Sequence, residues 1–246
     1  MNPAVSYLVC GAPRCGSGLL CEALRATGVA GNPREYFVPA FPGSDALETG
    51  MAGFEESPWA RERGATNFPA FLAAVLAEGR SANGVFAASL PWSSFSPMME
   101  KIRVFTPYGG NATFRQLLRR SFGLVRFIHL VRRDRVRQAV SWAITQQTAL
   151  DDEPSFDPEL LDSLLLQIEE AEAGWESLFD VLSLEPLQLA YEDWTEDLPA
   201  TLHEILHWLG LPAGHGAFDA NDLVVEREKT SLLEAWATRY RALKGL

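Results

Sequence analysis

The chain has 246 residues, 47% of them hydrophobic and 22% charged, which is ordinary for a globular protein with a sizeable core. Its formal net charge of −11 at pH 7 argues against general nucleic-acid binding, because a phosphate backbone would be repelled at long range. No run of eighteen apolar residues offers a membrane span, and the opening MNPAVSYLVC lacks the basic start of a secretory signal.

Val5 to Cys10 is a short apolar run that predicts a strand buried on both faces. A glycine-rich turn and the first turns of a helix follow, with Gly11 and Gly16 permitting close approach of a ligand and Ser17 placed to cap the helix. Free N–H groups at that helix start, with Arg14 in the loop, suit a phosphate or sulfate. Gly11 to Gly18 gives the first part of a Walker spacing, but Ser17 and Gly18 stand where Lys and Ser or Thr are needed, which counts against ATP or GTP hydrolysis. Cys10, Cys15 and Cys21 have neither a paired framework nor metal-ligand spacing, so a reducing cytoplasm is expected. Cys15, although in the loop, reads as a small filler rather than a reactive thiol.

Leu19 to Thr27 continues the first helix and Gly28 ends it. Gly28 to Phe37 can return as a short strand. Nine helical residues carry the chain about 14 Å from the loop, and seven extended ones cover about 23 Å, so Glu35 can come back beside the anion loop. Val38 to Thr66, rich in Pro, Gly, Ser and acidic groups, reads as a lid or insertion.

Phe68 to Glu78 has helical spacing, and Gly84 to Leu90 is a second buried strand leading into PWSSF. Phe95 to Lys101 and Asn111 to Arg120 are predicted helical, with a Pro and Gly turn between them. Leu124 to Val131 is the clearest later strand, followed by the breaker-free RRDRVRQAVSWAITQQT. Pro158 to Leu182 is a long amphipathic helix, Leu187 to Tyr191 a strand, Leu198 to Leu209 a helix stopped by Gly210 and Pro212, and Ser231 to Leu243 a final helix. This alternation predicts an α/β fold, a P-loop-like and mostly parallel sheet covered by helices on both faces, in one domain over 1–246.

Eight of the 21 Lys and Arg residues lie between Arg115 and Arg137, a concentrated basic segment that fits a small polyanion better than a nucleic-acid face. His129 is a candidate base, yet it lies in an apolar strand and reads as a core histidine. HEILH, His203 to His207, has the literal His-Glu-x-x-His spacing of a zinc hydrolase but no evident third ligand.

Taken in order, YLVCGAPRCGSGLL, NPREYF, FIHLVRRDRVRQAVSWAITQQT, LAYEDW and REKTSLLEAWATRYR resemble the PAPS-dependent sulfotransferases of the bacterial trehalose, lipopolysaccharide and Nod-factor branch. The resemblance spans most of the chain. It implies 3'-phosphoadenosine 5'-phosphosulfate (PAPS) as donor and the bisphosphate PAP as product. The acceptor would be a small-molecule hydroxyl, such as that of a sugar, with no metal and a homodimer. By position, Arg14, Cys15, Gly16, Ser17 and Gly18 would hold the 5'-phosphosulfate, and Arg133 and Ser141 the 3'-phosphate. Arg133 and Ser141 can meet one phosphate only if the helix starts after Arg133. Tyr191 would contact adenine, Arg227 or Lys229 would close over the nucleotide, and Glu35, with Arg14, would be catalytic, Glu35 as general base. Gly18, Cys15 and Ser89 depart from the family pattern, so a catalytically inactive nucleotide-binding relative and a nucleotide-dependent kinase are the competing readings.

Overall fold

The computed structural model describes residues 5–38, 53–107, 109–149, 153–212 and 230–246. Four strands, β1 (Val5–Gly11), β2 (Val85–Pro91), β3 (Val125–Val131) and β4 (Leu187–Ala190), form one sheet in the order β2-β1-β3-β4. All three pairings are parallel, and β1 is central, with Gly11 opposite Pro91 on one side and Leu130 on the other. β1 and β2 are buried almost throughout, as expected of apolar runs without polar alternation in a sheet covered on both faces.

Each face has its own core. Leu8, Phe86, Leu90 and Phe127 point toward α3 (Phe68–Glu78), α4 (Trp92–Phe105), α5 (Phe114–Phe122) and the end of α7 (Pro158–Val181). Tyr7, Val9, Ile128 and Leu130 point toward α1 (Ser17–Ala26) and α9 (Leu198–Leu209). A third cluster joins α6 (Arg135–Thr148), the first half of α7 and α10 (Thr230–Lys244), and takes in Ala12 of the first loop. Helix starts follow from local chemistry: Asn67, Thr113, Asp134, Asp157 and Asp197 each accept a backbone N–H in the first turn, and Pro stands near the start of α3, α7 and α9.

Three local expectations are corrected. Ser17 does not cap α1; Gly16 holds the cap position in a left-handed conformation and no side chain caps it, because the loop turns so tightly that only a residue tolerant of positive φ fits there. Gly28 to Phe37 is not a strand: it touches the sheet through one parallel bridge, Glu35 to Ser89, with the Ser89 N–H donating to the Arg34 carbonyl at 2.9 Å. Tyr191 leaves β4 and opens α8 (Tyr191–Trp194). Of the 38–66 excursion, 39–52 lies outside the described residues, and the later part packs into the core. There a short turn at Phe54–Glu56 and α2 (Pro58–Glu62) bury Phe54 and Ala60. Lys101 of α4 pairs with Glu55 at 2.9 Å in that same region.

Candidate active site

In a parallel sheet a ligand crevice opens outside the carboxyl ends of strands whose connections leave in opposite directions. Here the chain passes from β1 to β2 on one side and from β3 to β4 on the other, so the crevice lies between the loops that follow β1 and β3. Both are the anion-type loops singled out in the sequence.

The first loop is built for close approach. A Cβ on Gly11 would lie 2.5 Å from the Leu130 carbonyl oxygen, and one on Gly16 would meet the rings of Tyr191 and Trp194 at 2.6 and 2.7 Å. Gly16 has φ 94°, and Arg14 has φ 63° despite its side chain, a conformation that a non-glycine residue keeps only where its surroundings impose it. Arg14 Nε donates to the Ser141 hydroxyl at 2.8 Å. Two residues that the resemblance assigns to opposite ends of one nucleotide are thus side by side across the crevice.

The second segment separates its two arginines. α6 begins at Arg135 with Asp134 as its cap, so the helix does start after Arg133. The Arg133 guanidinium nevertheless points outward, forked onto the Asp193 carboxylate with both side chains about 60% exposed, while the Glu192 carboxylate accepts the N–H groups of Arg133 and Asp134, both at 3.1 Å. Arg132 is the inward member, 5% exposed. Its Nη1 donates to the Arg14 carbonyl at 3.2 Å, and its guanidinium lies over the Tyr191 ring, 4.4 Å from the centroid. Gln138, fully buried, donates its amide to the Pro13 carbonyl at 2.7 Å.

Sequence reasoning missed Arg132, Gln138 and Asp193. The Arg-Arg pair was a visible signal for the first, but only tertiary packing decides which of two adjacent arginines turns inward; the other two carried none.

Glu35 sits beside β2, opposite Ser89, which itself pairs with Val9 two residues before the loop. Two strand spacings put Glu35 about 10 Å from β1. Its side chain is exposed, yet the protein around it displaces enough water to push its carboxyl above the ordinary range. That leaves a carboxylate of enhanced basicity beside β2.

The competing residues fall away on position. His129 is buried in β3 with its ring against Phe179, and loss of water lowers its pKa to about 4, so it is a neutral core residue. Cys15 is likewise buried, and burial pushes its thiol up to about 11; the loop does not activate it. Gly18 has open space where a Cβ would go. His203 and His207 are exposed on α9, and among the described residues no group of three metal-ligating side chains exists. Arg227 and Lys229 lie outside the described residues. The helix that follows them is anchored beside the crevice, with Arg241 on Asp134 at 2.6 Å and Arg137 on Glu234 at 2.8 Å.

A parallel α/β sheet with a glycine-rich loop at its switch point and a second, arginine-bearing loop beside it defines a protein of the P-loop-like class. Comparison with known proteins fixes which one: the family described as Stf0 sulphotransferase matches residues 6–243, and the chain belongs to it. It is therefore a sulfotransferase. It is 27% identical over an alignment of 256 positions, covering 96% of this chain and 94% of the other, to a trehalose 2-sulfotransferase of Mycobacterium tuberculosis. It is 26% identical at the same coverage to a trehalose 2-sulfotransferase of Mycolicibacterium smegmatis. The sulfotransferase domain of the curacin biosynthetic pathway shares the fold, with a TM-score of 0.51, 15% identity, and coverage of 99% of this chain and 98% of that one.

Proposed function

We propose that this sulfotransferase takes its sulfuryl group from PAPS and delivers it to a hydroxyl of a carbohydrate, with trehalose the first acceptor to test because both curated relatives are named for it. The observation that carries the reading is the Arg14 to Ser141 hydrogen bond, which joins the loop matched to the 5'-phosphosulfate with the segment matched to the 3'-phosphate. The residues fit such a donor: the crevice offers the N-terminal turn of α1, a cradle at Gly16 that a Cβ would fill, and arginines from two elements.

The donor supplies a sulfuryl group on a phosphate leaving group. Arg14, with the α1 N-terminus behind it, stabilises negative charge on the transferring and leaving oxygens. Glu35 takes the proton of the acceptor hydroxyl as that oxygen bonds to sulfur and the sulfur–oxygen bond to phosphate breaks. Ser141 and Arg133 hold the 3'-phosphate, Arg133 exchanging Asp193 for it, and Tyr191 contacts the base. A cytoplasmic setting, suggested by three buried unpaired cysteines, would supply a nucleotide donor.

Calorimetric titration with PAP, with ATP plus magnesium as the control, tests the donor; labelled PAPS with trehalose and other sugars tests the acceptor. Binding of PAP, weakened by Arg133→Ala, followed by label on a sugar, is the expected result. Preference for ATP would return the chain to the kinase reading, and PAP binding without transfer to any acceptor to the inactive one.

A further inference from the structure

The two anion-binding segments are fastened to each other by groups that neither motif names. The Pro13 and Arg14 carbonyls, consecutive in the first loop, are held from the second segment by Gln138 and Arg132 respectively. Both side chains are buried, and each keeps one polar atom, Arg132 Nε and Gln138 Oε1, without a hydrogen-bond partner among the described residues. A buried guanidinium with an unused donor is costly, and Arg132 is kept there by contact with the loop and the Tyr191 ring, with the Glu192 carboxylate in electrostatic reach. Arg14 is the residue with the unusual φ, and Arg132 grips its carbonyl.

We propose that Arg132 and Gln138 are positioning residues of the donor site, bracing the β1–α1 loop so that Arg14 stays in its left-handed turn with its side chain against Ser141. The inference rests on the donor reading above. Without the braces the loop relaxes toward ordinary φ values, Arg14 swings away from Ser141, and the donor loses its best-placed cation. Arg132 acts through Arg14, so its effect exists only while Arg14 carries a guanidinium.

The test is a double-mutant cycle on the full chain, read by calorimetric titration with PAP. Arg132→Lys keeps the charge and loses the fork; Gln138→Met keeps the volume and loses the amide. Each is expected to weaken PAP about tenfold in the wild-type background and less than about twofold beside Arg14→Ala, with the KM for PAPS raised and that for the acceptor unchanged. Equal weakening in both backgrounds, or no weakening while the wild type binds, overturns the proposal. If Arg132→Lys fails to fold, Gln138→Met decides by the same comparison. Failure of the wild type to bind PAP removes the donor reading and this inference with it, and that arm is read before any variant.

Discussion

Glu35 is where residue-scale chemistry is most exposed to test. Glu35→Gln keeps the shape and removes the base, so turnover should fall by about two orders of magnitude or more while PAP titration is unchanged. The raised carboxyl pKa means that the rate of the wild type climbs with pH through a value above that of a free glutamate. The same shift sets a stability trend. Because the folded pKa lies above the unfolded one, the group favours folding below the unfolded value, and that contribution is lost as pH rises through the folded one. Glu35→Gln should therefore melt at the same temperature as wild type or higher at pH 7, with the gap closing in acid. His129 has the opposite sign. Its folded pKa of about 4 lies below the ordinary 6.5, so its contribution is present above pH 6.5 and lost as pH falls toward 4. That loss is at most about 3 kcal/mol. Denaturant titrations from pH 7 to 4 should show a steeper loss for wild type than for His129→Gln.

At the scale of elements, the β1–α1 loop combines tolerance and intolerance within three residues. Gly16→Ala puts a methyl against Tyr191 and Trp194 at positive φ, and should cost about 1–3 kcal/mol in chemical denaturation together with most PAP affinity. Gly18→Ala, with open space at its Cβ and an ordinary helical position, should instead stabilise by about 0.5–1 kcal/mol. Equal effects at the two positions would contradict the loop geometry. α3 and α9 were legible to the residue because caps, prolines and apolar spacing all agree there. The stretch ending at Glu35 was not, since one bridge residue satisfies the sheet edge and the rest of the segment packs through Tyr36 and Phe37, a pattern that reads as a strand in sequence.

For the molecule as a whole, the later part of the excursion is an anchored part of the core. Phe54 stacks on Phe71, and Glu55 meets the buried Lys101. Removing one partner of a buried ion pair strands the other, so Glu55→Ala should cost about 2–4 kcal/mol in denaturation. An effect under about 0.5 kcal/mol would show that solvent already screens the pair. The charge distribution also acts at this scale: a chain of net charge −11 carries Arg14, Arg132 and Arg133 at the ends of two adjacent strands, which favours capture of a small polyanion over a long one.

The sequence by itself determined most of the strand and helix succession, the parallel sheet and the family, because these depend on periodicity, glycine placement and motifs a few residues long. Tertiary structure alone decided that Arg132 turns inward while Arg133 is held by Asp193, and that Arg14 and Ser141 meet. Those outcomes depend on which faces are buried and on partners 60 to 127 positions away, and adjacent residues of one type carry no local signal that distinguishes them.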